Sequence, residues 1–98
     1  STIIEANGIR IDKISRRVYV DDKEIELTYK EFELLAYLVQ NKGIVLSRDK
    51  IMSEIWGFDF EGESRTVDVH IAFLRQKLGK KGQYIKTIRN VGYKMEDR

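Results

Sequence analysis

The sequence predicts a small α+β domain: an antiparallel sheet of short strands, then three helices, then a terminal β-hairpin. Apolar residues recur at period two up to residue 27, amphipathic segments with helix-end signals fill residues 28–79, and two short strand-like segments make up residues 83–96. A chain of 98 residues has enough apolar content for one core, and no room for a separate catalytic domain. Residues 1–98 are therefore taken as a single domain.

The first 27 residues are predicted to form the sheet. Asn7-Gly8 and Asp21-Asp22 supply residues that tolerate the backbone angles of tight turns. Between these turns, apolar residues alternate with polar ones, as in strands that bury one face. The four candidate strands are marked by Ile3-Ile4, by Ile9 and Ile11, by Val18 and Val20, and by Ile25 and Leu27.

The first helix is predicted to begin at Thr28. Its hydroxyl can accept a hydrogen bond from the Glu31 backbone N–H while the Glu31 carboxylate reaches back, and Leu27 can pack on Phe32. The helix should end near residues 41–43, where Gly43 supplies a left-handed cap. The buried face is predicted to be Phe32, Leu35, Ala36, Leu38 and Val39.

Two further helices follow, each with its own end signals. Ser47 is expected to cap the second helix, and Gly57 to end it. Ser64 is expected to cap the third helix, which ends at Gly79 after Leu78. The expected core positions are Ile51, Met52, Ile55 and Trp56 in the second helix and Val67, Ile71, Leu74 and Leu78 in the third.

Charge is distributed unevenly along the chain. The net charge is only +2, but residues 1–64 hold 9 Lys/Arg and 13 Asp/Glu, a net −4, whereas residues 65–98 hold 9 Lys/Arg and 3 Asp/Glu, a net +6. The basic half is therefore a candidate surface for an extended polyanion such as a nucleic acid. A solvated basic face is the alternative that charge alone leaves open.

Other features narrow the cellular context. The sequence contains no cysteine, which excludes disulfides and thiolate zinc sites and fits a reducing compartment. No signal peptide or membrane span is recognisable, so a cytoplasmic location is expected. The first residue is serine, and we expect the chain to be a fragment of a longer protein.

The third helix has an unusual outer face. Opposite its core stripe, apolar side chains lie among few charges, a combination that suits base edges, where Val69 or Phe73 can touch thymine methyl groups. The alternative is that Phe73 packs beneath the hairpin. The residues of this outer face are Arg65, Thr66, Val69, Ala72, Phe73 and Gln76.

No catalytic or metal-binding constellation is recognisable. His70 is the only histidine, and on a helix it points about 200° away from Asp68, so the two cannot form a dyad. A histidine on a helix flank is more often structural, or a phosphate contact, than catalytic. With no glycine-rich phosphate loop and no metal-ligand spacing, the sequence predicts neither an enzyme nor a cofactor.

Four motifs, in order, resemble the effector domain of the OmpR/PhoB class of bacterial response regulators. The first spans residues 27–35, LTYKEFELL, and the second combines Leu46-Ser47-Arg48 with Ile55-Trp56-Gly57. The third spans residues 65–78, RTVDVHIAFLRQKL, and the last combines Ile88-Arg89 with Gly92-Tyr93. The resemblance covers almost the whole chain.

The resemblance implies a winged helix-turn-helix fold with an N-terminal four-stranded sheet and a C-terminal hairpin wing. It also implies sequence-specific binding of double-stranded DNA at direct repeats, as the output domain of a two-component regulator of transcription. A phosphorylatable receiver domain would precede this domain, and the acidic loop 58–63 matches a segment that contacts RNA polymerase in some relatives.

Individual residue roles follow from the same resemblance. Base-facing positions would be Asp68, Val69 and Phe73 on the third helix and Arg89 on the wing. Phosphate-facing positions would be Arg48, Trp56, Arg65, Thr66, His70, Arg75, Thr87 and Tyr93.

The chain departs from the family pattern at several positions. Relatives often carry basic residues where this chain has Ala72 and Phe73, a proline in place of Tyr29 and a glycine in place of Asn90. Phe73 matters most, because it replaces an arginine-type guanine reader and so changes the expected target sequence. The main rival function is a winged helix whose apolar outer face binds a protein, and the +6 charge of residues 65–98 argues against it.

Overall fold

The computed structural model describes residues 2–58 and 60–97. The first four strands form an antiparallel sheet in the order β1-β2-β3-β4, three helices follow, and a second sheet has the order β5-β7-β6. The predicted α+β winged-helix architecture is confirmed. The elements are β1 (Ile3–Ala6), β2 (Ile9–Asp12), β3 (Arg17–Val20), β4 (Lys23–Ile25), α1 (Tyr29–Gln40), β5 (Leu46–Ser47), α2 (Arg48–Trp56), α3 (Arg65–Leu78), a 3₁₀ helix (Gly79–Tyr84), β6 (Ile85–Ile88) and β7 (Gly92–Met95).

Tight turns set the register of the N-terminal sheet. Asn7 and Gly8 have φ of 56° and 86°, and Asp21 and Asp22 have φ of 51° and 69°. Two consecutive positive φ angles match the right-handed twist of hairpin strands, so both predicted turns are confirmed. The fourth strand is shorter than predicted: it ends at Ile25, and Leu27 lies beyond it.

The N-terminus of α1 has the predicted capping box. The Thr28 hydroxyl accepts from the Glu31 amide at 3.2 Å, and the Glu31 carboxylate accepts from the Thr28 amide at 2.9 Å. The buried face differs from the prediction, because Leu34 is fully buried and Ala36 only half-buried. Since α1 packs against the first sheet as well as against α2 and α3, its buried surface is wider than a single amphipathic stripe.

The third helix buries its four predicted core residues, whereas in the second helix Ile51 and Met52 are buried and Ile55 and Trp56 are only half-buried. One predicted cap is also wrong. Ser47 caps α2 by accepting from the Lys50 amide at 3.0 Å, and Gly57 ends α2 at φ 104°. Ser64 instead has helical angles, φ −62° and ψ −20°, and its side chain makes no capping bond to the described residues. The backbone carbonyls of Glu63 and Ser64 accept from the amides of Thr66 and Val67, so the entry turn replaces the side-chain cap.

One ionic contact ties α1 to α3. Glu31 is 5% exposed, and its carboxylate accepts from Lys77 Nζ at 2.6 Å. Burial raises the pKa of the Glu31 carboxyl, but the hydrogen bonds from Lys77 and the Thr28 amide outweigh burial and hold the pKa below its ordinary value. The contact therefore stabilises the fold above the ordinary glutamate pKa, and this stability is lost as the pH falls through the lowered value.

We predict that Lys77→Met destabilises the domain by about 1 kcal/mol at neutral pH, because the buried Glu31 carboxylate loses its partner. The effect is modest because the Lys77 side chain is partly exposed to solvent in the wild type. Its stability should also fall less on acidification below about pH 5, because Glu31 then titrates closer to its unfolded value. Urea unfolding at several pH values measures both effects. Lys80→Met, at an exposed lysine, is the control. An unchanged pH dependence in Lys77→Met would contradict the assignment.

Candidate nucleic-acid interface

The outer side of α3 is open to solvent. Val67, Ile71, Leu74 and Leu78 are buried, whereas Val69 and Phe73 on the opposite side are 49% and 53% exposed. Ala72 and Gln76 are exposed beside them. Phe73 therefore lies on the open face of the helix, which does not favour the alternative that it packs beneath the hairpin.

Asp68, in the first turn of α3, joins three elements. Arg48 Nε, at the start of α2, donates to Asp68 Oδ1 at 2.8 Å, and the Tyr93 hydroxyl, on β7, donates to the same oxygen. The Arg48 guanidinium also lies over the Tyr93 ring, 5.6 Å from its centroid. Asp68 was predicted to face bases, but one of its carboxylate oxygens is engaged within the domain.

The charges of this cluster are fixed by the contacts. Burial raises the pKa of Asp68, but the hydrogen bonds from Tyr93 and Arg48 outweigh it, so the pKa is lower than usual. Burial and the bond to Asp68 raise the pKa of Tyr93, and the bond to Asp68 raises that of Arg48. At neutral pH the cluster therefore consists of a carboxylate, a protonated phenol and a guanidinium.

The hairpin of β6 and β7, here called the wing, is held to α3 by Arg75. Its Nε and Nη2 donate to the Ile85 carbonyl oxygen at 3.2 and 2.6 Å, and Nη2 also donates to Thr87 Oγ1 at 2.8 Å. Arg75 and Thr87 were predicted to face phosphates. In the structure they bind each other, so Arg75 also has a structural role that the sequence did not reveal.

Tyr93 is the centre of this region and is almost fully buried. It is 4% exposed and pairs with Leu46 of β5 and Thr87 of β6. The neighbouring Gly92 is required here, because a Cβ would collide with the backbone of Leu46 and Ser47. Tyr93 was predicted to face phosphate, but its hydroxyl is bonded to Asp68 instead.

A second group of predicted phosphate-facing residues meets at the end of α2. Trp56 and His70 pack edge to face with ring centroids 4.9 Å apart. His70 Nδ1 lies 2.9 Å from the Thr66 carbonyl oxygen, and since a carbonyl can only accept, Nδ1 carries the hydrogen. Lys30, which sequence reasoning missed, places Nζ 5.5 Å from the Trp56 ring centroid and donates to the Ile55 carbonyl. Lys30 and Trp56 lie far apart in sequence, and no local pattern predicts that they meet.

The remaining predicted site residues are exposed cations at two edges. Arg65 pairs with Glu63 at 2.7 Å, but both side chains are more than two-thirds exposed, so the pair contributes little stability. Arg89 is exposed and precedes Asn90, whose φ of 65° closes the wing turn. Asn90 tolerates this conformation without being glycine.

Within residues 2–58 and 60–97, no three His, Cys, Asp or Glu side chains lie together in an arrangement that could hold a metal ion. Among these residues, no helix is long and apolar enough to cross a membrane.

Comparisons with known proteins identify the family. The family model described as "Transcriptional regulatory protein, C terminal" matches residues 22–95. The alkaline phosphatase synthesis transcriptional regulatory protein PhoP of Bacillus subtilis is 54% identical in an alignment of 82 residues that covers 81% of this chain and 34% of PhoP. The chain thus spans about a third of that relative, and 41% of a second one, YkoG of the same organism.

Two solved structures are also similar. The Klebsiella pneumoniae RstA DNA-binding domain in complex with the RstA box has a TM-score of 0.86 at 30% identity, covering 98% of each chain. The response regulator DrrB, a Thermotoga maritima OmpR/PhoB homolog, has a TM-score of 0.87 at 30% identity, covering 98% of this chain and 45% of DrrB.

We predict that Arg75→Lys loosens the wing while leaving the charge unchanged, because an ammonium cannot reproduce the forked contact with Ile85 and Thr87. Amide hydrogen exchange in β6 and β7 should accelerate by about 5- to 10-fold, the equivalent of a net bond of about 1 kcal/mol. Exchange in α1 should not change. Thr87→Val, which removes only the hydroxyl contact, should have a smaller effect. Equal protection of the wing in Arg75→Lys and wild type would rule out this anchoring role.

Proposed function

The chain belongs to the family of transcriptional regulatory protein C-terminal domains, of OmpR/PhoB type, and from this premise we propose that it binds double-stranded DNA sequence-specifically as the output domain of a two-component response regulator. This family places the chain among regulators of transcription rather than among enzymes. Because a bacterial protein that binds chromosomal DNA acts in the cytoplasm, the proposal includes a cytoplasmic location.

The observation that carries the proposal is the open face of α3 with basic elements on both sides. A helix of 14 residues has the dimensions to enter a major groove, and its exposed outer side would meet the base edges. Arg48 at the start of α2 would then approach a flanking phosphate backbone, and Arg89 at the wing turn would reach the adjacent minor groove.

The roles of individual residues follow from this docking. Val69 and Phe73 would contact bases, Asp68 would present its second carboxylate oxygen to them, and Arg89 would reach the minor groove. The phosphate contacts would come from Arg48, Trp56, Arg65, Thr66, His70, Arg75 and Thr87. Tyr93 is almost fully buried and would not contact phosphate itself. It would contribute indirectly, because it binds Asp68, which in turn positions Arg48.

We further propose that the domain occupies direct repeats and is followed on DNA by a second copy in the same orientation. Since the chain spans less than half the length of PhoP and of YkoG, we propose that a receiver domain in the rest of the full-length protein supplies much of the pairing energy.

RNA polymerase is proposed as a further partner, through loop 58–63. The loop carries three acidic residues, and Phe58 within it is 96% exposed. Asp59 lies outside the described residues. An exposed aromatic ring among acids is a candidate anchor for a protein surface. If the contact exists, Phe58→Ser should weaken polymerase recruitment in a binding assay without changing affinity for DNA; equal recruitment would exclude it.

Salt dependence tests DNA binding directly. The arginines of the proposed interface, Arg48, Arg65, Arg75 and Arg89, correspond to a slope of about −4 in a plot of log affinity against log salt. Arg65→Gln should make the slope shallower by about one unit at every sequence. Arg10→Gln is the matched control, because Arg10 also pairs with a single exposed carboxylate, Asp22, but lies on the first sheet. A slope near zero would favour the rival protein-binding function.

Site size tests the repeat arrangement. The isolated domain should bind a single half-site weakly as a monomer, and two copies should fill a direct repeat whose half-sites are about 10 base pairs apart. Analytical ultracentrifugation of the protein with one-site and two-site duplexes measures the stoichiometry. Stable dimers of the free domain at micromolar concentration, or tighter binding to an inverted repeat, would contradict the arrangement.

A further inference from the structure

Three exposed apolar side chains occupy the centre of the outer face of α3. Val69, Ala72 and Phe73 stand at spacings of three and four residues, so they are neighbours on one side of the helix. Val69 and Phe73 are each about half exposed, although the same helix buries its own core stripe on the opposite side. These three residues are here called the reading face.

Two polar side chains that flank the reading face, Asp68 and Arg75, are bound to other parts of the domain. Asp68 is bound by Arg48 and Tyr93 through one carboxylate oxygen. The guanidinium of Arg75 is held by the Ile85 carbonyl and by Thr87. An arginine held in this way cannot reach a guanine without breaking two contacts in the wing. At the centre of the outer face of α3, a base edge would therefore meet apolar surface rather than hydrogen-bonding groups.

Resting on the proposed DNA-binding function, we propose that the reading face recognises the C5-methyl group of thymine, with Phe73 as the residue that determines specificity. In the major groove, thymine differs from the other standard bases by a methyl group. An aromatic ring and a valine side chain can bury such a group and remove its apolar area from water. The reading face would give no comparable contact to the amino group of cytosine.

The surroundings of the reading face favour DNA over a protein as its occupant. Arg65 stands one turn before Val69 on the same outer face, and Arg48 lies beside the first turn of α3 through its contact with Asp68. The wing, which Arg75 holds against α3, adds the exposed Arg89. Charged residues are depleted at the core of a protein interface, whereas cations on both sides of an apolar strip match the two phosphate backbones that border a groove.

Replacing thymine by uracil tests the methyl group alone, since the exchange keeps base pairing and every hydrogen-bonding edge. With a duplex selected by the domain from a random library, single thymine-to-uracil exchanges should weaken wild-type binding by about 3- to 10-fold at one or two positions, the value of burying one methyl group. At the same positions, cytosine should bind less tightly than 5-methylcytosine. Exchanges elsewhere in the site should have no effect.

Variants identify the side chain responsible. Phe73→Ala should bind the uracil and thymine duplexes equally, whereas Phe73→Leu, which keeps an apolar side chain, should retain part of the difference. Arg65→Gln should weaken binding to both duplexes while leaving their ratio intact. Circular dichroism checks that each variant is folded.

The outcomes separate the two proposals. Equal binding of uracil and thymine duplexes at every position by the wild-type domain, with a steep salt slope, overturns methyl recognition and leaves DNA binding in place. A thymine preference that persists in Phe73→Ala overturns the role of Phe73. The absence of salt-dependent binding to any duplex overturns the proposed function itself.

Discussion

The arrangement of the C-terminal half depends on the carboxylate of Asp68. It accepts hydrogen bonds from Arg48 and from Tyr93, and so joins the start of α2, the first turn of α3 and the wing at one oxygen atom. Both donors lie far from Asp68 in sequence, so neither contact forms before the tertiary fold. Since a half-buried carboxylate without partners would be costly, the three elements are held in one mutual orientation.

Two further contacts hold the rest of α3. Lys77 binds the buried carboxylate of Glu31 on α1, and Arg75 binds the wing backbone at Ile85. The helix is thus fixed at its first turn by Asp68 and near its last turn by these two residues, while its core stripe packs beneath. The reading face is the side that these contacts leave open. A rigid helix with one open side loses little conformational entropy on binding, which favours affinity.

Much of the fold could be predicted because its signals are local. The capping box at Thr28, the turns at Asn7-Gly8 and the core stripe of α3 each depend on residues within a few positions of one another. The cap at Ser64 was predicted wrongly because the backbone of the preceding turn satisfies the same amides. The structural roles of Arg75 and Tyr93 were not predictable. Arg75 binds a residue 10 positions away and Tyr93 one 25 positions away, and no local pattern around an arginine on a helix or a tyrosine in a strand indicates such a partner.

The structural contacts of the arginines are compatible with the phosphate contacts proposed for them. A guanidinium has five N–H donors. Arg48 uses Nε toward Asp68, and Arg75 uses Nε and Nη2 toward the wing. Within the described residues, Nη1 of Arg75 keeps its donors, and Arg48 keeps those donors that its contacts with Asp68 and Tyr93 leave. Each arginine is thus immobilised by one set of donors while another set remains for an anion, so the entropy of ordering these side chains is lost on folding rather than on binding DNA.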